Sequence, residues 1–103
     1  MEVISTKTDQ AYTLQFRGEL DHHNAKDAIR KMELMLYTEL PKQLLLDFTG
    51  VTFMDSSGIA LAVRAQRRMA ALGGRAMLCH VPPQAKKVFD AAGISRMVPI
   101  IES

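Results

Sequence analysis

The chain has 103 residues, 48% of them hydrophobic, and a formal net charge of +2 from 13 basic and 11 acidic residues. This length predicts one domain over residues 1–103 with a packed core, and the nearly balanced charge gives no reason to expect a nucleic-acid or membrane partner. The single cysteine excludes an intrachain disulfide, and no secretory signal or membrane-spanning run is found, so we expect a cytoplasmic protein.

The first part of the chain predicts a hairpin followed by a helix. Apolar and polar residues alternate over Tyr12–Phe16, which is the period of a half-buried strand, and Val3-Ile4 is a shorter strand before it. Gly18 is expected to end the second strand. Beyond it, apolar residues recur every three or four positions, which predicts an amphipathic helix capped by Asp21 or Asn24.

The middle of the chain predicts a buried strand and a second helix. Leu44–Phe48 is almost continuously apolar, as expected for a central strand. Gly50 and the residues after it are expected to form a loop that includes Met54. A helix is predicted from Ile59 to Leu72, where Gly73-Gly74 supplies a left-handed stop.

The last part predicts a strand, a third helix and a final short strand. The strand covers Arg75–Val81, Pro82-Pro83 opens the helix, Gly93 ends it, and Met97–Ile101 forms the last strand. The order β-β-α-β-α-β-α-β predicts an α/β fold. It has a small, mixed and mostly parallel sheet with helices packed on it in two or three layers.

Two polar segments lie at strand-to-helix junctions. The first is Gly18–His23 and the second is Phe53–Gly58, which reads Phe-Met-Asp-Ser-Ser-Gly. A helix N-terminus favours anionic groups, so Ser56 there can be a plain helix cap, a nucleophile or a residue that gains and loses a phosphoryl group. If the two strands are parallel, both segments open at one sheet edge and Asp21 lies near Ser56.

Motifs for catalysis or cofactors are missing. Neither Ser56 nor Ser57 has the first glycine of Gly-x-Ser-x-Gly, and no histidine lies in a motif that identifies it as a base. Phosphate-loop and dinucleotide-binding patterns are absent. His22-His23 and Cys79-His80 are adjacent pairs whose side chains should diverge, so no metal site is expected. We therefore expect no enzymatic activity and no cofactor.

A basic stripe is predicted on the second helix and just after it. Without interleaved aromatic residues on a nearly neutral domain, it is typical of a solvated face, or it contacts an acidic partner protein. Its members are Arg64, Arg67, Arg68 and Arg75.

The two polar segments together resemble the STAS-domain anti-sigma factor antagonists, in particular those of the sporulation type. Gly-Glu-Leu-Asp-His-His at Gly18–His23 and Asp-Ser-Ser-Gly at Asp55–Gly58 carry the resemblance. Gly73-Gly74 and the Phe-Asp-x-x-Gly pattern at Phe89–Gly93 extend it over nearly the whole chain.

The resemblance implies a function in partner switching. In that family the unphosphorylated antagonist binds an anti-sigma factor, which is also an ATP-dependent serine kinase, and so frees a sigma factor. Phosphorylation of the serine that maps to Ser56 ends the binding, and a serine phosphatase reverses it. Partner-binding residues are expected at Asp21, His22, Met54, Asp55, Ser57 and Gly58.

Two other functions remain open at this point. The chain could be a STAS subunit of a lipid-transport ABC complex in which Ser56 is not phosphorylated. Alternatively, it could be an enzyme that acts through Ser56 or Ser57, against which the missing glycine and the missing base count.

Overall fold

Five strands and three α-helices follow one another in the predicted order within residues 1–101, the part of the chain that the computed structural model describes. Residues 102 and 103 of the predicted domain lie outside that description. The elements are β1 (Glu2–Lys7), β2 (Tyr12–Leu20), α1 (His22–Glu39), β3 (Gln43–Met54), α2 (Ser57–Ala71), β4 (Arg75–Cys79), α3 (Pro83–Ala91), a 3₁₀ turn (Ile94–Arg96) and β5 (Ile100–Ile101).

The sheet is mixed and mostly parallel, as predicted. Its strand order is β1-β2-β3-β4-β5, with β1 antiparallel to β2 and every other neighbouring pair parallel. Each crossover through a helix therefore advances to the next strand in the same direction. Right-handed crossovers of this kind place their helices on one face of the sheet.

The core lies between that face and the helices. Side chains along β2 alternate between buried and partly exposed, which is the pattern of a sheet covered on one side. Phe16 of β2, Phe48 of β3 and Phe89 of α3 pack in a row, with 5.6 Å between neighbouring ring centroids. The fold has two layers, which settles the question that the sequence left open.

The central strands are longer than predicted. β2 continues through Gly18 to Leu20, and β3 continues through Gly50 to Met54, where a loop was expected. The pairing of these strands shifts by a residue near Gly50, and a Cβ there would lie 2.9 Å from the Phe16 carbonyl oxygen. Glycine thus permits the close approach of the two backbones in mid-strand instead of ending the strand.

Other predicted elements need smaller corrections. The buried stripe of α2 includes Leu61 and Ala65, and Ala70 is exposed. β4 stops at Cys79, before the predicted end at Val81. The last strand, β5, follows the 3₁₀ turn and covers only Ile100–Ile101 of the predicted Met97–Ile101. No helix within residues 1–101 combines the length and the hydropathy needed to cross a membrane.

Candidate functional site

The two polar segments meet at the carboxyl ends of β2 and β3. Leu20 and Met54, the last residues of these strands, are paired in the sheet. Directly beyond them the Asp55 backbone N–H donates to the Leu20 carbonyl oxygen at 3.3 Å. The prediction that both polar segments open at one edge of the sheet is confirmed, because the starts of α1 and α2 lie side by side.

Asp55 joins the starts of both helices through one carboxylate. Its Oδ1 accepts the Ser57 backbone N–H at 2.8 Å, and its Oδ2 accepts the His22 backbone N–H at 3.1 Å. The bond from Ser57, followed by that from His22, lowers the pKa of Asp55 despite some desolvation. The sequence placed Asp55 in the site but gave no sign that it also binds α1.

Asp21 caps α1. Its Oδ1 accepts the Asn24 backbone N–H at 3.0 Å, which identifies Asp21 as the N-cap of the two candidates. Asn24 instead donates its side-chain amide to the Glu19 carbonyl oxygen at 2.9 Å. His22, the first residue of the helix, is exposed, so its imidazole faces solvent beside this cap.

Ser56 does not cap α2. It occupies the N-cap position, but its side chain makes no capping hydrogen bond, and the residue is exposed. Asp55 satisfies the Ser57 N–H in its place. The interpretation of Ser56 as a plain helix cap is therefore wrong, and its hydroxyl is accessible to another molecule.

The prediction that Met54 lies in a loop and contacts a partner is wrong. Met54 ends β3, and its side chain is 0% exposed, so a partner cannot reach it. Gly58 is buried against it: a Cβ at Gly58 would overlap Met54 Sδ and lie 3.2 Å from Leu20 Cδ2. Any contribution of Gly58 to recognition therefore acts through close packing under the loop. Phe53 is the large apolar side chain that β3 exposes here, at 42%.

Gln84 of α3 is a part of the site that the sequence did not indicate. Its Nε2 donates to the Met54 carbonyl oxygen at 2.7 Å, and its Oε1 accepts the Met54 N–H at 2.8 Å. β4 pairs with β3 only as far as Asp47, so within residues 1–101 no strand pairs with the end of β3 on that side. One side-chain amide thus replaces the missing strand immediately before Asp55.

Two shallow grooves flank the start of α2. The groove beside Ser56, between α2 and α3, is mostly apolar, and the groove beside Ser57, between α1 and α2, is more basic. The first is lined by Ser56, Ile59, Gln84, Lys87, Val88, Ala91 and Ala92. The second is lined by His22, Ala25, Lys26, Ile29, Arg30, Glu33, Ser57, Ala60 and Arg64.

Part of the predicted arginine stripe is used inside the molecule. Arg64 and Arg68 both bind the Glu33 carboxylate of α1, at 2.9 and 3.0 Å. These ion pairs tie α2 to α1, and Glu33 and Arg64 also line the basic groove, so two arginines of the stripe already have an acidic partner within the chain.

Comparison with known proteins gives consistent matches. The STAS domain matches residues 2–103. An anti-sigma F factor antagonist of Lysinibacillus sphaericus is 30% identical over 87 residues, which cover 84% of this chain and 74% of that protein. The unphosphorylated form of the anti-sigma factor antagonist SpoIIAA matches with a TM-score of 0.82 at 25% identity, covering 99% of this chain and 88% of that one. The phosphorylated form of SpoIIAA, described as a Bacillus cell fate determinant, matches with a TM-score of 0.73 at 25% identity, covering 99% and 91%.

Proposed function

Because the chain belongs to the STAS domain family, we propose that it is an anti-sigma factor antagonist whose affinity for its partner is switched by phosphorylation of Ser56. The observation that carries the proposal is the exposed Ser56 side chain, which makes no capping bond at the start of α2. Relatives named as anti-sigma F factor antagonists, and the likeness to SpoIIAA in two phosphorylation states, support it.

The unphosphorylated protein binds an anti-sigma factor that is also a serine kinase, and the bound sigma factor is released. The contact surface consists of Asp21, His22, Asp55 and Ser57, with Gly58 packed beneath. The apolar groove beside Ser56 adds surface that a partner can desolvate. The protein acts in the cytoplasm, where sigma factors meet RNA polymerase, and it is a binding module and not an enzyme.

Phosphorylation reverses the binding through charge and bulk at this surface. The kinase transfers the γ-phosphoryl group of ATP to Ser56 Oγ, so that an O–P bond forms, ADP leaves and the hydroxyl proton passes to a base on the kinase. The phosphoserine carries about −1.5 to −2 charges at neutral pH. Partner groups that accept a hydroxyl reject a dianion, because like charges and lost solvation raise the free energy of the complex. A serine phosphatase hydrolyses the phosphoester and restores binding.

Site mapping with a matched pair of serine variants tests the proposal. Wild type, Ser56→Ala and Ser57→Ala are incubated with the cognate anti-sigma kinase and ATP, and the modified residue is mapped by mass spectrometry. We expect phosphate on Ser56 in the wild type and in Ser57→Ala, and none in Ser56→Ala. The unphosphorylated proteins bind the kinase, and the phosphorylated wild type binds at least about tenfold more weakly, a loss of about 1.4 kcal/mol.

Two outcomes contradict the proposal. Equal affinity of the kinase for wild type and for authentic Ser56 phosphoprotein removes the switch. A protein isolated from its own host without phosphate, in a stable complex with a transporter ATPase subunit, favours the lipid-transport alternative instead.

A further inference from the structure

A second cluster of reactive side chains lies on the sheet face that the helices leave uncovered. Asp47 of β3 and Cys79 of β4 are paired in the sheet, each one position after a buried pair, Leu46 and Leu78, that faces the helices. Since side chains alternate along a strand, Asp47 and Cys79 both point to the other face. This cluster is separate from Ser56, and the proposed function makes no use of it.

His80 joins the pair because the chain leaves the strand in an unusual conformation. Its φ is +53°, in the left-handed region that residues other than glycine adopt infrequently. On a regular strand the side chains of Cys79 and His80 would diverge, which is why the sequence predicted no metal site. Here His80 Nδ1 lies 3.3 Å from Asp47 Oδ1, and the residues converge.

The three side chains offer ligands of the kinds that bind zinc. One ligand atom from each of Asp47, Cys79 and His80 lies within 4.8 Å of the others. Zinc bonds these groups at about 2.0–2.3 Å, so its ligand atoms lie roughly 3–4 Å apart, and binding requires the side chains of this cluster to rotate inward to that spacing. The His80 side chain is 47% exposed, which leaves a path for an ion from solvent.

The Asp47 carboxylate is oriented with one oxygen free for a ligand. Oδ1 accepts the Thr49 backbone N–H at 2.9 Å and the Thr49 hydroxyl at 2.6 Å, whereas no hydrogen bond to Oδ2 is found within residues 1–101. Thr49 thus orients the carboxylate, as outer groups do around metal sites.

We propose that Asp47, Cys79 and His80 form a binding site for a divalent cation of the zinc type, with a fourth position for water or an external ligand. On binding, the Cys79 thiol gives its proton to solvent as the metal–sulfur bond forms. The carboxylate and the thiolate together balance the charge of the ion. A thiolate and an imidazole favour zinc over magnesium or calcium, which prefer oxygen ligands.

Titration with Co²⁺ alone, after treatment of the protein with a chelator, tests the site. We expect one equivalent of Co²⁺ to give tetrahedral cobalt absorption bands and a thiolate-to-cobalt charge-transfer band. Both are lost when Zn²⁺ displaces the cobalt. Cys79→Ser removes the charge-transfer band. Asp47→Asn and His80→Asn weaken binding by at least about tenfold. His23→Asn, a change at an exposed histidine outside the cluster, leaves binding unaltered.

Two results overturn the proposal. The first is a wild-type protein that gives no such bands. The second is bands that persist unchanged in His80→Asn, which shows that the metal binds elsewhere. His80 is exposed, so this variant stays informative even if the change at the buried Cys79 prevents folding.

Discussion

Replacement of Gln84 by alanine removes the only side-chain hydrogen bonds from α3 to the end of β3 found within residues 1–101. Two hydrogen bonds, of 2.7 and 2.8 Å, join its amide to the backbone of Met54. Each such bond contributes about 0.5–1.5 kcal/mol net. Gln84 is exposed, so water partly replaces the lost groups, and we expect the free energy of unfolding to fall by about 1–2 kcal/mol in total.

Urea unfolding followed by circular dichroism measures that loss, and hydrogen exchange locates it. The Met54 amide should exchange roughly tenfold faster, because about 1.4 kcal/mol corresponds to a factor of ten. The Leu46 amide, in the part of β3 that β4 covers, should keep its protection. Gln84→Glu keeps the acceptor but puts a carboxylate oxygen against the Met54 carbonyl oxygen, and this repulsion offsets the bond that is kept, so we expect it to be no more stable than Gln84→Ala.

Lys87→Ala, a change at an exposed residue of the same helix, is the matched control and should stay within about 0.5 kcal/mol of wild type. If Gln84→Ala unfolds at the same urea concentration as Lys87→Ala and the Met54 amide exchanges at its original rate, the amide does not hold the strand end and this reasoning is wrong.

Two further predictions concern packing and pH. Gly58→Ala should lower the free energy of unfolding by about 1–3 kcal/mol, because the new Cβ overlaps Met54 Sδ. In a double-mutant cycle monitored by urea unfolding, Gly58→Ala should lower the free energy of unfolding less in the Met54→Ala background than in wild type. Strictly additive losses would contradict the overlap. Burial would raise the pKa of Glu33, but hydrogen bonds from Arg68 and Arg64 outweigh it and hold the pKa below 4.5. The ion pairs of Glu33 stabilise the folded protein above pH 4.5, and this stabilisation is lost as the pH falls through the lower pKa that Glu33 has in the folded state. The stability difference between wild type and Glu33→Gln should therefore shrink from about pH 6 to about pH 3, and a constant difference would refute the assignment.

Local patterns in the sequence were enough to predict the order of the elements. The alternation around Leu14 and the three-to-four spacing from Ala25 to Leu36 each report one element, and both elements are confirmed. The parallel direction of β2 and β3 then brought Asp21 and Ser56 to the same edge. The proposed phosphorylation of Ser56 came from the family resemblance, because the residue pattern left a helix cap, a nucleophile and a phosphorylated residue all open.

The features that the sequence missed all depend on distant partners. Gly50 and Met54 were placed in a loop because glycine and polar neighbours suggest a turn, but pairing with β2 keeps them in the strand. Gln84 binds a backbone thirty positions away, and no periodicity reports such a contact. His80 reaches Asp47 only because its backbone enters the left-handed region, which a sequence seldom reveals outside glycine.

The Asp55 carboxylate has a consequence for any phosphate added next to it. Helix N-termini attract anions through their free N–H groups, but the carboxylate already binds the Ser57 N–H of α2 and the His22 N–H of α1. Its lowered pKa keeps it charged at neutral pH. A phosphoryl group on Ser56 would thus be attracted less by the two helix ends, because Asp55 already accepts N–H groups from both, and it would lie beside an ionised carboxylate. Such a phosphate would face outward and would not be held by the helix ends.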